Sequence, residues 1–292
     1  MSQLDQQFLS YDGRRLGFDE RGPSDGNPLF YFHGSPSSRI ESRLYVSDET
    51  LQSLNVRLIA ADRPGLGLSD FQPTRQLLDW PRDVLLLADH LNLERFGVLA
   101  YSLGGPYGLS CAYAIPERLT KVGIVSGAAL FTEPKLLKNI NEGTRRYLNL
   151  PLEKPTAARL FLRMLQATAR FAPGRLIAQS KALLPEPDRE IVLSDTDFQK
   201  GFIAMVREAF RQGTRGVYHE SLLTITNWGF RLQDLNAPIL IWHGEADQNI
   251  PVEMARYLAE SLPSSKVEIH PGEGHLSLFK RNAGDILRSL VD

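Results

Sequence analysis

FGVLAYSLGGPY, running from Phe96 to Tyr107, is the stretch on which the reading of this chain turns. Gly97-Val98-Leu99-Ala100 is an apolar run too short for a helix, and Leu109, Cys111, Ala112 and Ala114 open a helical pattern beyond it. Ser102 stands between the two, with small residues two before it (Ala100) and two after (Gly104). A serine on a sharp strand-to-helix turn has its hydroxyl lifted clear of the backbone, and the helix N-terminus faces the place where negative charge would develop. Ala100 stands where the usual pattern has glycine; alanine keeps the turn at negative φ and gives up only some room for close packing. Five residues alone are equally met by a serine that merely N-caps a helix, so the rest of the chain decides.

At 292 residues, the chain suits one sizeable core with an insertion. With 42% hydrophobic and 23% charged residues it has the composition of a soluble globular protein. Lys+Arg 33 against Asp+Glu 34 leaves a formal net charge of -1, which argues against a nucleic-acid surface or a polybasic membrane patch. The expected partner is a small neutral molecule, with no nucleic acid and no membrane; oligomeric state is open. The first residues have neither a basic n-region nor an apolar h-region, no run approaches transmembrane length, and Cys111 is the single cysteine, so a cytoplasmic location is expected. C-x-x-C, H-E-x-x-H and G-x-x-x-x-G-K-[ST] are all missing, so neither metal nor cofactor is expected.

Gln6 to Leu9 and Arg15 to Glu20 read as a hairpin turning at Asp12-Gly13. Leu29 to Phe32 and Val56 to Ala61 read as buried strands. The second runs into Asp62-Arg-Pro-Gly65-Leu-Gly67-Leu-Ser69, whose Gly-x-Gly lacks the third glycine of a dinucleotide fingerprint (Asp70 stands there). Asp79 is the expected N-cap of a helix with Val84, Leu87, Ala88 and Leu91 on its apolar face; His90 in it reads as a surface or packing residue. Lys121 to Val125, Pro238 to Trp242 and Lys266 to Ile269 continue the strand rhythm, with a helix near Val252 to Leu262.

From Gly127 to Asn236 the pattern is helical instead, with Phe198, Phe202, Met205 and Ala209 on one face and Leu160, Met164, Ala167 and Phe171 repeating that spacing. Breaks are expected at Pro151, Pro155, Pro173, Pro185 and Pro187. The expected organisation is an α/β core from residues 1–126 and 237–292, with residues 127–236 forming an inserted all-helical cap over the strand ends. Some of its aromatic and methionine residues, Phe161, Met164, Phe171, Phe198, Phe202 and Met205 among them, should roof a pocket. Arg39, Arg163 and Arg211 read as solvated.

A serine hydroxyl needs a general base, and the base an acid to fix its tautomer; for a nucleophile on such an elbow the chain order is serine, acid, histidine. His219 lies in the helical region, and His243 and His270 end strands. His275, in Gly272-Glu-Gly-His-Leu276 after the last strand, is on a loop that can reach over the sheet and is preferred as base. In the loop after Ile239 to Trp242, Asp247 lies deeper than Glu245 and is preferred as acid; the loop after Val125 offers only Ser126-Gly-Ala-Ala. Oxyanion donors are expected from the backbone N–H groups of Leu103 and of Ser35, which follows His33-Gly34. Gly34 and Tyr101 are expected to border the substrate. His33 is expected to anchor its loop.

His33-Gly34-Ser35-Pro36, Asp62 to Ser69, Ala100-Tyr-Ser-Leu-Gly-Gly105, Gly244-Glu-Ala-Asp247 and Gly274-His275, in that order, resemble the motifs of α/β-hydrolase-fold proteins over nearly the whole chain. The resemblance implies an eight-stranded, mostly parallel, doubly wound sheet with a helical cap and no cofactor. Epoxide hydrolases and haloalkane dehalogenases of that fold use an aspartate nucleophile, and serine at 102 argues against both. Proline iminopeptidases carry a tryptophan where Leu103 stands. The implied activity is a serine-dependent cleavage of carboxylic esters. A slow-turnover ligand receptor of the same fold, a C–C hydrolase, a perhydrolase and an iminopeptidase-like peptidase would use the same residues.

Overall fold

The computed structural model describes residues 2–10, 12–131, 134–137 and 139–292. Eight strands form one sheet: β1 (Gln3–Leu9), β2 (Arg15–Arg21), β3 (Asn27–Phe32), β4 (Val56–Ala61), β5 (Phe96–Tyr101), β6 (Leu119–Val125), β7 (Ile239–Gly244) and β8 (Ser265–His270). Their order is β1-β2-β4-β3-β5-β6-β7-β8. β2 runs antiparallel to β1 and to β4, and the remaining pairs are parallel. All six residues of the central β5 are buried, whereas the edge strands β1 and β8 are half-buried or exposed. That contrast explains why the middle strands read as continuous apolar runs: helices cover both of their faces.

Alternation along β5 assigns those faces. A Cβ placed on Gly108, in the helix Gly105–Ala114, would lie 2.8 Å from Ala100 Cβ, so this helix packs on the Val98–Ala100 face. On the other face the helix His275–Val291 sets Phe279 against Tyr31, at 6.2 Å between ring centroids, and against Tyr101, at 5.4 Å.

Between β6 and β7 the described residues hold the helices Glu142–Glu153, Pro155–Phe171, Pro173–Leu183, Glu186–Ser194, Thr196–Ala209 and Arg215–Ile225. Pro155 and Pro173 each begin a helix, where the missing N–H costs nothing. Pro151 behaves differently from the expectation of a break: it lies inside the last turn of Glu142–Glu153, and the chain turns only after Lys154, whose N–H bonds Leu150 C=O. Asp79 also differs. Its carboxylate accepts the N–H of Gln76 at 2.7 Å, capping a short turn at Leu77–Asp79, and the helix Trp80–His90 follows on directly.

The helix Pro155–Phe171 and Arg39 also differ from expectation. Phe198, Met205 and Ala209 are buried as their spacing implied, but Leu160, Met164, Ala167 and Phe171 form the outward stripe of their helix, with Phe171 77% exposed. The buried stripe of that helix is Ala158, Leu162 and Ala169. Arg39 is not solvated: at 2% exposure it bonds Asp62, Glu208, Asp19 and Asp5. Together they fasten the β3–β4 connection to β1, β2 and the helix Thr196–Ala209.

Candidate active site

Ser102 follows β5 directly with φ of +56°, a left-handed conformation that costs a non-glycine residue about 1–3 kcal/mol and persists because its surroundings hold it. The turn is possible because Gly104 has no side chain: a Cβ there would lie 2.3 Å from the carbonyl oxygen of Phe32. Ala100 is accommodated for a related reason. The space that glycine would have left on the strand is supplied from the helix by Gly108.

Ser102 Oγ lies 3.0 Å from His275 Nε2, and His275 Nδ1 lies 2.7 Å from Asp247 Oδ2. His275 begins the C-terminal helix beyond β8, and Asp247 lies in the loop after β7, so three strand ends deliver the three groups. Asp247 is held in turn: its Oδ1 accepts the N–H groups of Asn249 and Ile250 at 2.8 and 2.9 Å, and His243 Nε2 stands 3.4 Å from Oδ2. Burial alone would raise the Asp247 pKa, but the charge of His275 and hydrogen bonds from His243 and His275 bring it down to about 2. Burial works to lower the pKa of His275; the carboxylates of Asp247, Asp188 and Glu41 outweigh it and hold the value above that of an ordinary histidine. Because Asp247 stays ionised, Nδ1 carries the imidazole proton and Nε2 is left to accept one.

Of the other histidines, only His243 adjoins these groups, behind Asp247. His243 is fully buried with Nε2 2.7 Å from Ile250 C=O, and His219 Nε2 lies 3.1 Å from Arg75 C=O. His33 is fully buried, and burial and Arg63 push its pKa well below the usual range. Glu245 faces Arg256 at 3.9 Å.

Gly34, Ser35, Tyr101 and Leu103 all border the cavity into which Ser102 opens. A Cβ on Gly34 would lie 3.2 Å from Ser102 Cβ, so glycine is what lets this loop pass over the serine. Leu103 lies in the first helical turn after β5, where N–H groups have no intrahelical acceptor. Arg63, fully buried, clamps the loop after β3 by donating to the C=O of His33 at 2.7 Å and of Gly34 at 2.8 Å, while Glu220 balances its charge. Tyr101 contributes more to the scaffold than its place in the sequence implied: its hydroxyl donates to His275 C=O at 3.1 Å.

The cavity has a volume of about 670 Å³. Of the aromatic and methionine residues expected to roof it, Phe161, Phe198, Phe202 and Met205 line it, while Met164 and Phe171 face outward. Three residues missed by the sequence reading reach the site. Tyr147 hydroxyl lies 2.9 Å from Ser35 Oγ; Glu41 accepts the N–H of Gly34; and Asp188 accepts the N–H groups of His275, Leu276 and Ser277. Asp188 sits in the first turn of its own helix, where an acid looks like a local capping residue, and nothing local marks the other two. Among the described residues no group of three or more His, Cys, Asp or Glu is placed to hold a metal ion, and no helix is long and apolar enough to cross a membrane.

Comparison with known proteins bears on the fold and the family. An uncharacterized hydrolase of Bacillus subtilis (strain 168), YcgS, is 30% identical over 289 residues, which is 96% of this chain and 94% of its own. A hydrolase from Pseudomonas aeruginosa PA01 superposes with a TM-score of 0.73 at 18% identity, covering 98% of this chain and 97% of that one. The esterase RhEst1 from Rhodococcus sp. ECU1013 superposes with a TM-score of 0.70 at 19% identity, covering 99% and 98%. At those identities the two solved structures speak for the fold. The family model described as alpha/beta hydrolase fold matches residues 27–281, and the chain belongs to that family.

Proposed function

We propose that the protein is a serine hydrolase that cleaves carboxylic esters of small to medium, largely uncharged molecules. The observation that carries this reading is the continuous relay Asp247–His275–Ser102, with spacings of 2.7 and 3.0 Å, opening into a cavity walled largely by apolar side chains. Ser102 Oγ attacks the ester carbonyl as His275 Nε2 takes its proton, and Asp247 holds the imidazole and stabilises the imidazolium. The tetrahedral oxyanion is met by the N–H groups of Leu103 and Ser35, each worth about 3 kcal/mol by mutational loss, with the helix after Ser102 directing its positive end at the same point. Collapse expels the alcohol, which takes the proton from His275 Nε2. Water, deprotonated by His275, then attacks the acyl-enzyme and releases acid and free Ser102. Residues 127–236 act as a cap in this reading, with Phe161, Phe198, Phe202 and Met205 as the apolar wall facing the acyl chain.

A panel of p-nitrophenyl esters with wild type and Ser102→Ala tests it. Multiple turnovers by wild type, reduced by several orders of magnitude in the variant, are expected, together with fluorophosphonate labelling that maps to Ser102. Tight ester binding without turnover would mean a receptor, and labelling at Ser35 or Ser126 would move the nucleophile.

A further inference from the structure

Asp188 belongs to the helix Glu186–Ser194, 87 residues before His275, yet it is fully buried against the start of the histidine's own helix. Its Oδ2 accepts the N–H of His275 at 2.8 Å, and its Oδ1 accepts those of Leu276 and Ser277, both at 2.9 Å. These are first-turn N–H groups with no acceptor inside the helix, and a carboxylate is the favoured partner at that end. The helix has no side-chain cap of its own for these groups: its N-cap residue is Gly274, and Ser277 Oγ accepts only the N–H of Gly274, at 2.8 Å, so the carboxylate of Asp188 is the acceptor that holds residues 275–277. Gly274 fits the same contact: a Cβ there would lie 2.4 Å from Asp188 Oδ1. Two ion pairs at the rim, Glu190 with Arg281 at 2.7 Å and Asp195 with Lys280 at 3.4 Å, join the same pair of segments.

We propose that Asp188 is a positioning residue for the His275 base, holding the backbone of residues 275–277 so that the imidazole stays in line between Asp247 and Ser102. The helical segment between β6 and β7 thereby becomes part of the proton relay as well as its cover, and a movement that withdrew Asp188 would slacken the base. The inference rests on His275 being the base. Groups facing the imidazole are Asp247 from the β7 loop, Asp188 from its helix, Glu41 from the β3–β4 connection, and Ser102 and Tyr101 from β5 and its elbow. Asp188 is one of three carboxylates that favour the imidazolium, so removing its charge has a sign: the histidine must titrate at lower pH.

The experiment compares Asp188→Asn with Glu190→Gln, which removes only a rim ion pair, reading kcat, KM, melting temperature and the imidazole titration of His275 by 15N NMR. For Asp188→Asn, kcat should fall on the order of 100-fold, as for a displacement of about 1 Å in a relay, with KM within about two-fold of wild type. The His275 midpoint and the acid limb of kcat/KM should move down together, while Glu190→Gln behaves as wild type. If Asp188→Asn does not fold, Gly274→Ala, which pushes the carboxylate aside, takes the same readouts with the same loss of kcat expected. A folded variant with wild-type kcat and an unmoved His275 midpoint overturns the proposal, as does a loss confined to KM. Failure of the ester-hydrolase reading looks different: wild type then binds esters without turnover, or turnover survives His275→Ala, and the NMR titration of His275 in Asp188→Asn still reads the contact of Asp188 with the histidine.

Discussion

Gly34 N–H donates to Glu41 Oε2 at 2.7 Å, and the same oxygen accepts the hydroxyl of Tyr31 at 2.8 Å. Burial raises the pKa of this carboxyl against the opposing pull of those hydrogen bonds and of Arg63. Gly34 immediately precedes Ser35, so this bond holds the near end of the residue whose C=O, accepting from Arg63 at 2.8 Å, lies in the peptide that would present the Ser35 N–H to an oxyanion. Glu41→Ala leaves two buried donors unpaired, at about 1–3 kcal/mol each, and loosens the loop at Gly34 N–H while Arg63 still holds its C=O. A lower melting temperature and a lower kcat are expected, with Glu41→Gln, which keeps an acceptor, recovering most of both. Wild-type kcat in a folded Glu41→Ala would show that the loop holds itself.

The pH dependence follows from the state of His275. In the proposed reaction it must be neutral to take the Ser102 proton, and its pKa is raised, so kcat/KM is expected to fall as pH drops through a midpoint above about 6.5, the ordinary histidine value. Asp247, at about 2, stays ionised throughout that range and adds no second limb. Asp247→Asn should lower the midpoint and reduce kcat by several orders of magnitude, and Asp247→Ala combined with His275→Ala should cost little more than His275→Ala alone. Glu245→Ala, which alters an exposed side chain facing Arg256, should be close to wild type.

Acyl length is the measurable consequence of the wall. An apolar surface contributes about 0.8 kcal/mol per buried CH₂, so kcat/KM for p-nitrophenyl esters should rise from acetate to about butyrate or hexanoate and then fall as the cavity fills. Phe202→Ala, which removes a ring from the lining, should move the optimum to longer chains without moving the acid limb. A monotonic rise to palmitate would mean an open groove.

Two glycines make opposite predictions for stability. Gly104→Ala would set a Cβ 2.3 Å from backbone oxygen that cannot yield, and should cost about 1–3 kcal/mol or more in urea unfolding along with most of the activity. Gly284, inside the helix His275–Val291, has nothing within 4 Å of its would-be Cβ. Gly284→Ala should therefore stabilise by roughly 0.5–1 kcal/mol, with activity unchanged.

Much of this molecule is written locally. β3 to β7 are short apolar runs bounded by turn residues, and Ser102 between Ala100 and Gly104 marks its own elbow, because backbone sterics and burial on both sheet faces act over a few residues at a time. Asp247 and His275 were legible through their loops, since an open sheet can bring side chains to its centre only from strand ends. Pairing β2 antiparallel to β4, between β1 and the parallel strands, was decided by the tertiary structure. So was the inner face of the helix Pro155–Phe171: it carries an apolar stripe at Leu160, Met164 and Phe171 and another at Ala158, Leu162 and Ala169, and periodicity marks both without choosing. The smaller side chains went inward because neighbouring helices approach there, and the larger were left outside. Asp188 could not be read from its surroundings at all, because its partners are backbone N–H groups 87 to 89 residues away, which have the same chemistry at every position and become specific only when the fold points one helix end at one carboxylate.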